Sequence, residues 1–268
     1  MRAAKLKMFK RLLLRAWKSN EAISVALSTI IISASILAIT AIATFVSTNV
    51  LELQVQSTEF EEAKMTMILL DDIIEDVGLK QGSGGYLRFN CRSGGLMIAQ
   101  NNTLKVFVKG NPNPILNITS LIYLAYRGGR LVGYTPTVLR GNNIPYVTTI
   151  ALPLCYLRIE TGPGAWIRLD YNRVRIVDMG QNVVKGQVYN FVDITFIQLT
   201  RGEYRGSGSL SIKSQNIGIE TWQRVYDNSN VTIQIQLDQG PLAEHPVSYA
   251  GGKTVVTVTV AHVSISTV

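Results

Sequence analysis

A chain of 268 residues with 47% hydrophobic side chains is long enough to bury one large core or two small ones. Its formal net charge of +8 would suit a nucleic-acid-binding protein, but seven basic and no acidic residues fall within the first twenty positions, directly before a long apolar run. Positive charge in that place is typical of a membrane flank and argues against nucleic acid as a partner.

The longest apolar run extends from Ala22 to Leu51, and its 30 residues include no charged side chain. A helix needs about 20 apolar residues to cross a bilayer, so the run predicts a transmembrane helix. The excess of Lys and Arg before it predicts a cytoplasmic N-terminus and an extracellular region after Leu51. The run is also rich in Ser, Thr and Ala, which let helices approach closely in lipid. Both a plain single-span anchor and helix-to-helix assembly remain open.

The helix is predicted to continue to Gly78, because neither Gly nor Pro occurs between Leu51 and Val77. The predicted helix therefore covers 20–78, after a basic leader at 1–19. Apolar residues that recur every three or four positions define one stripe on its outer half, namely Phe60, Ala63, Met67, Leu70, Ile74 and Val77. The acidic residues fall largely off this stripe and are interpreted as a solvated face. The stripe packs on the chain's own β domain or, in addition, on neighbouring copies.

After the turn-forming sequence QGSGG, the region 86–268 has the short alternating runs and the Gly, Asn and Pro turns of a β domain. Strands are predicted at 86–90, 96–100, 103–109, 115–126, 146–152, 156–160, 166–169, 174–177, 187–200, 207–213, 231–237 and 254–268. The predicted fold class is α+β, with a long N-terminal transmembrane and amphipathic helix followed by an antiparallel β-sandwich-like head of one or two β subdomains.

The alternation of the last run changes phase near Ala261 and His262. A shift by one residue exchanges the two faces of a strand, so the pattern predicts a β-bulge or a bend there. The strand completes the chain's own sheet or adds to the exposed edge of a neighbour, and the first of these is favoured.

Cys91 and Cys155 are the two cysteines of the chain, and both fall in the region predicted to be extracellular. A disulfide between them and a pair of buried free thiols are both open interpretations. Asn101, Asn117 and Asn230 begin Asn-x-Ser/Thr sequences, which are candidate N-glycosylation sites outside the cell.

The sequence carries no pattern of catalytic or metal-binding residues. Its two histidines, His245 and His262, lack a nucleophile motif, and no phosphate-binding loop, dinucleotide fingerprint or zinc-ligand spacing occurs. We therefore expect no enzyme activity, no catalytic residues, no metal and no cofactor.

The order of a basic leader, the apolar segment AISVALSTIIISASILAIT, a continuing helix and a β-rich remainder resembles archaeal type IV pilin-like proteins with class III signal peptides. In that family a prepilin peptidase cuts after a basic residue followed by a small one. Lys18 and Ser19 are similar to that pair, and cleavage after them would leave Asn20 first. Arg15 and Ala16 are the second candidate pair.

The resemblance implies a pilin-like structural subunit of the archaeal cell surface, anchored or polymerised through its apolar helix. Its partners would be copies of itself, other pilin-like subunits, the lipid membrane and a processing peptidase. It would lie in the cell membrane with an extracellular C-terminal domain, or in a surface filament. The alternative is a non-polymerising single-span membrane protein whose extracellular β domain binds a surface ligand or partner.

Overall fold

The computed structural model describes residues 2–162, 164–203 and 209–267, with side chains from 25 onward except those of 26 and 101. The chain divides into two compact units, Met1–Gln54 and Val55–Val268. The first unit is helical, and the second is a β domain that includes the last part of the same helix. We call residues 55–78 the outer helix.

Helix α1 spans Arg2–Gly78 and has 77 residues. The prediction of a helix over 20–78 gave the correct end, Gly78, but the wrong start, because the helix begins at Arg2. The basic leader continues the helix because it contains neither Gly nor Pro and is rich in Ala, Leu, Lys and Arg, which are strong helix formers. The side chains of the candidate cleavage residues Ala16, Ser19 and Asn20 lie outside the described residues.

Fifteen strands and no second helix follow α1 in the described part of the chain. They are β1 Gly84–Asn90, β2 Gly95–Asn101, β3 Leu104–Val108, β4 Leu116–Ile118, β5 Leu121–Arg127, β6 Thr137–Arg140, β7 Tyr146–Val147, β8 Tyr156–Gly162, β9 Gly164–Asp170, β10 Val174–Val184, β11 Gln187–Arg201, β12 Ser209–Tyr226, β13 Asn230–Leu237, β14 Ala243–Ser248 and β15 Lys253–Thr267.

These strands form three sheets. The six-stranded sheet has the order β1-β12-β15-β11-β10-β7, the five-stranded sheet β2-β5-β9-β8-β6, and the four-stranded sheet β14-β13-β3-β4. The prediction of an antiparallel head was wrong for the six-stranded sheet, in which β11 pairs in parallel with β15 and β10 with β7. Three strands separate β11 from β15 along the chain, which provides the long connection that parallel pairing requires.

Two hydrophobic cores lie on opposite faces of the six-stranded sheet, and β15 contributes to both. Val256, Val258 and Val260 pack in a core with the four-stranded sheet. Val263 and Ile265 pack in a core with the outer helix and the five-stranded sheet. Because successive side chains of a strand point to opposite faces, the buried positions change phase where β15 passes from one core to the other.

The phase change near His262 is therefore present, but β15 itself has no bulge, since its pairing with β11 continues without a register shift. The bulge lies in the neighbouring strand β12, where Ile217 is the additional residue between Asn216 and Gly218, the partner of His262. β15 lies between β12 and β11 in its own sheet, as the favoured interpretation required.

The sequence pattern missed β6 and β14 and ended β10 and β12 too early. Asn216 and Gly218 are residue types that are common in turns, so the pattern predicted that the strand ends before them. In the structure they flank the bulge, and β12 continues beyond it. β14 contains Pro246, which has no N–H to donate to a ladder. This strand lies at the edge of the four-stranded sheet, where proline is tolerated.

The predicted strand at 146–152 forms a ladder at Tyr146–Val147 alone. The chain around it is held by the buried guanidinium of Arg173, which donates hydrogen bonds to the carbonyl oxygens of Ile144, Pro153 and Cys155 at 2.8, 2.7 and 3.3 Å. Burial also lowers the pKa of Arg173.

Candidate functional site: the apolar segment and the outer helix

The apolar segment of α1 exposes all of its described side chains, at position 25 and from 27 to 51. The run from Leu27 onward is long and apolar enough to cross a membrane by length and composition. Large side chains such as Ile39 and Phe45 are 66% and 70% exposed. A helix that is apolar on all sides is stable only when lipid or other helices cover it.

The threonine hydroxyls of this segment are satisfied inside the helix. Thr29, Thr40, Thr44 and Thr48 each donate a hydrogen bond of 2.7 to 2.8 Å to the carbonyl oxygen four residues earlier. In a hydrocarbon environment no water is present to bind a free hydroxyl, so this pattern permits threonine at membrane depth.

The predicted apolar stripe of the outer helix is confirmed, and it packs on the β domain of its own chain. All six residues are buried in the core that includes the five-stranded sheet and one end of the six-stranded sheet. They are Phe60, Ala63, Met67, Leu70, Ile74 and Val77. Helical periodicity was sufficient to identify them because a stripe of this width has to face a core.

Glu59 is the most extensively bound carboxylate of the outer helix and is 7% exposed. It accepts hydrogen bonds from the backbone N–H groups of Arg92, Ser93 and Gly94 at 2.9, 2.9 and 3.0 Å. It also accepts hydrogen bonds from the hydroxyls of Ser93 at 2.5 Å and Tyr126 at 2.7 Å. The loop that follows β1 is thus closed around one side chain of the helix.

Burial of the Glu59 carboxylate opposes its ionisation, but the hydrogen bonds from Ser93, Tyr126 and Gly94 outweigh burial and lower the pKa of Glu59. The pKa of the Tyr126 hydroxyl is raised by burial and by its bond to Glu59. The pair is therefore a charged acceptor with a neutral donor.

Asp71 is the second buried carboxylate, three helical turns farther along, with its side chain 1% exposed. It accepts hydrogen bonds from the Tyr171 hydroxyl at 2.5 Å and from Arg140 Nη1 at 2.9 Å. Arg140 also binds the exposed neighbour Asp72. The thiol of Cys155 lies in the same cluster, where burial and the Asp71 charge raise the pKa of Cys155.

The interpretation of the acidic residues as one solvated face was wrong. Besides Glu59 and Asp71, Glu61 binds the Tyr134 hydroxyl at 2.5 Å, and Glu75 binds Arg175 Nη2 at 2.6 Å. The partners lie far away along the chain, so no sequence spacing marked them. Together these carboxylates fix the outer helix to three different regions of the β domain.

The end of the outer helix is capped by a side chain from β12. Asn216 Nδ2 donates to the carbonyl oxygens of Val77 and Gly78 at 3.2 and 2.9 Å, groups that have no partner within a helix. A Cβ on Gly78 would lie 2.8 Å from Ile197 Cδ1, so glycine allows the helix end to lie close to β11. The β12 bulge thus places the cap.

The other side of the outer helix carries apolar residues that nothing in the β domain covers. Met65 and Leu69 are exposed, and Leu79 continues the row beyond the helix end. A groove beside Leu69 is lined further by Asp72, Ile73, Asp76, Val77, Gly84, Gly85 and Leu87. A neighbouring protein surface is the usual cover for such a row.

The outward face of the five-stranded sheet carries arginines stacked on aromatic rings. Arg168 Cζ lies 3.9 Å from the ring centroid of Tyr123, and Arg158 Cζ lies 4.4 Å from that of Tyr156, which are cation–π distances. Asp170 binds both arginines, at 2.5 and 2.9 Å. Stacking and ion pairing hold these side chains flat on the sheet.

The two cysteines are free thiols, both buried, so the disulfide interpretation was wrong. The reason is their position along the outer helix: Cys91 adjoins the Glu59 loop, and Cys155 adjoins Asp71. Glu59 and Asp71 are twelve residues apart, which corresponds to roughly 18 Å along a helix. The two thiols beside them are therefore too far apart for a disulfide, in which the Cα atoms are about 6 Å apart.

We expect neither thiol to react with an aromatic disulfide reagent at neutral pH while the chain is folded, because burial raises the pKa of both Cys91 and Cys155 and blocks access. After unfolding in denaturant without reductant, two thiols per chain should react. A count of zero after unfolding would mean that the cysteines are bonded.

The remaining predicted residues do not come together. Asn117 and Asn230 are exposed, in β4 and β13, and the side chain of Asn101 lies outside the described residues. His245 lies against the Tyr146 ring with centroids 5.3 Å apart, and burial lowers the pKa of His245. His262 Nε2 lies 3.6 Å from a Glu220 carboxylate oxygen.

Within the described residues, no group of His, Cys, Asp and Glu is arranged to hold a metal ion. Comparison with protein-family models, curated proteins and solved structures finds no match. A functional assignment therefore depends on the residues and contacts given above.

Proposed function

We propose that the chain is a pilin-like structural subunit of the archaeal cell surface, with a sandwich-like head outside the cell. It is anchored in the membrane and polymerised through its N-terminal apolar helix. Its proposed partners are copies of itself, other pilin-like subunits, lipid and a processing peptidase, and the proposed role is structural rather than catalytic.

One observation carries the proposal: a single helix has one uncharged, largely apolar segment whose described side chains are all exposed, and another segment that packs in the core of a β domain. The carboxylates Glu59, Asp71 and Glu75 fix the buried segment to the head, so a load on the helix is transmitted to the head. An assembly of helices in lipid or in a filament would cover the apolar segment. The exposed row with Met65 and Leu69 would face a neighbouring copy.

The N-terminus of the mature protein tests this function. Mass spectrometry of protein from native membranes should find the leader removed after Ser19 or after Ala16, because assembly in the family follows processing. A mature chain that still begins with Met1 would contradict polymerisation. It would favour the alternative of a membrane-anchored protein that does not polymerise.

Self-association in the membrane should depend on the small residues of the apolar segment. We expect Ser33→Leu with Ala34→Leu to weaken association by about tenfold, since leucines hold the backbones apart at a contact worth on the order of 1 to 2 kcal/mol. Insertion should be unchanged. Resonance energy transfer between labelled chains, measured while the vesicle lipid is diluted, would show the effect.

The matched control is Ile31→Leu with Ile32→Leu, which alters the same helix without adding volume. Equal association of all three proteins would mean that the helices do not meet at Ser33 and Ala34.

The alternative function, a non-polymerising anchored protein that binds a surface ligand, is favoured by the flat face around Arg158, Arg168 and Asp170. Arginine and tyrosine are enriched at the centres of binding interfaces. Under this alternative, Arg168→Gln would abolish attachment to a surface partner and leave the oligomeric state unchanged.

A further inference from the structure

We infer that the rim of the β domain formed by Arg92, Arg127 and Arg130 binds anionic phospholipid headgroups. This rests on the proposed membrane anchoring and goes beyond it, because it assigns a ligand to side chains of the head itself.

The backbone beside two of these arginines is bound to the first turns of the outer helix. The N–H of Arg92 donates to Glu59 Oε1 at 2.9 Å. The N–H of Leu131, the residue after Arg130, donates to Gln56 Oε1 at 3.1 Å. Both arginine side chains are exposed, so their positions are fixed while their charges face solvent.

Arg127 reaches the same part of the helix through the glycine that follows it. A Cβ on Gly128 would lie 2.7 Å from Phe60 Cδ2, so the chain there lies directly against the helix. The exposed Arg127 guanidinium lies 5.6 Å from the Trp166 ring centroid. All three arginines thus belong to the end of the β domain at which the outer helix begins.

The chain between the apolar segment and this end of the β domain is short. Gln56 follows Leu51, the last residue of the apolar segment, by five positions, and even a fully extended chain covers no more than about 18 Å over five residues. The headgroup layer on each side of a bilayer is roughly 5 to 8 Å thick.

Within the described part of the chain the rim arginines have no carboxylate partner, in contrast to four other arginines of the β domain. Ion pairs neutralise Arg140, Arg158, Arg168 and Arg175. Among the described residues, no carboxylate lies within ion-pair distance of the three rim arginines. A cation without an internal partner is available to a phosphate group outside.

The acidic residues in the first turns of the outer helix differ in how much they offset the positive charge of the rim arginines. Glu59 faces inward and is 7% exposed, and Glu61 is bound by Lys64 and Tyr134. Glu62 is exposed and carries an opposing charge. Leu131, 49% exposed, lies beside Arg130, and Trp166 lies under Arg127; Arg, Trp and Leu together are typical of a surface at the lipid–water boundary.

The test uses the full chain in vesicles, with Leu131→Cys labelled by an environment-sensitive fluorophore. Cys91 and Cys155 are buried and stay unlabelled in the folded chain. Quenching by a nitroxide on the lipid headgroup reports how close position 131 comes to the bilayer. We expect stronger quenching in vesicles that contain phosphatidylglycerol than in pure phosphatidylcholine, and less quenching at high salt, since each arginine near an anionic surface contributes about fivefold to binding.

Replacing the rim arginines by Arg92→Gln, Arg127→Gln and Arg130→Gln should abolish the difference between the two lipids. The control with the same change in charge, Lys80→Gln, Lys213→Gln and Arg224→Gln, should keep it, because these residues lie away from the rim. Equal quenching in both lipids, or an unaffected rim variant, would overturn the inference.

Flotation with the vesicles distinguishes failure of the membrane anchor from failure of the rim site. A chain that fails to float refutes the proposed anchor, whereas a chain that floats without any dependence on lipid charge refutes the rim site alone. Inorganic phosphate that suppresses the quenching more than sodium chloride of equal ionic strength would assign the site to a free anion instead of a headgroup.

Discussion

Glu59→Gln should destabilise the β domain by about 3 kcal/mol, the range found when one partner of a buried charged network is removed. The glutamine has the same shape, but its amide group has to point toward a donor, because Ser93, Gly94 and Tyr126 all donate to this position. At least one buried donor then loses its acceptor. Denaturant unfolding of the detergent-solubilised chain, followed by tryptophan fluorescence, measures the loss.

Glu62→Gln is the matched control, since Glu62 lies three positions farther along the same helix and is exposed. Its substitution should change the free energy of unfolding by less than about 0.5 kcal/mol. Similar losses in the two variants would show that helix charge, rather than the contacts of Glu59, determines stability.

The same residue gives a pH dependence with a definite sign. The folded-state pKa of Glu59 lies below its usual value, so its contribution to stability is present above the unfolded-state pKa and is lost as the pH falls through the folded-state pKa. The wild type should therefore lose more stability on acidification than Glu59→Gln. Parallel pH profiles for the two proteins would contradict the assignment.

Local pattern predicted the parts of this fold that depend on neighbours in sequence. Met67 and Leu70 lie on the buried stripe because a period near 3.6 is a property of the helix alone, and Gly78 ends the helix as expected. Most strands were found for the same reason. The mixed six-stranded sheet was missed, because nothing in a strand's own residues specifies whether a distant partner runs parallel.

The candidate site was predicted less well, for a related reason. Glu59 and Glu62 are the same amino acid three positions apart, and one is enclosed while the other is exposed. The difference comes from the loop after β1 and from Tyr126 on β5, which the fold brings to one of them. Likewise, nothing in the sequence around Cys91 and Cys155 indicated which part of the outer helix each cysteine would contact.

Asp71→Leu should cost about 3 to 5 kcal/mol of stability, as removal of one partner from a buried ionic cluster does. Asp71 is 1% exposed, and loss of its carboxylate leaves the Tyr171 hydroxyl with the Asp71 backbone oxygen, 3.2 Å away, as its acceptor and Arg140 with Asp72 as its remaining carboxylate. The control is Asp72→Asn, which removes the charge of a 54% exposed side chain that pairs with the same arginine. It should cost less than about 1 kcal/mol of stability.

A second substitution distinguishes a lost network from a loss of packing. Tyr171→Phe removes the hydroxyl that loses its charged acceptor in Asp71→Leu, and replacing both members of a buried polar pair by apolar groups costs less than breaking the pair. The double variant should therefore be more stable than Asp71→Leu alone, with a coupling energy of about 1 to 3 kcal/mol in the cycle. Strictly additive effects would mean that the Asp71 carboxylate and the Tyr171 hydroxyl, 2.5 Å apart in the structure, do not stabilise each other, and this pair would then contribute nothing to holding the outer helix on the head.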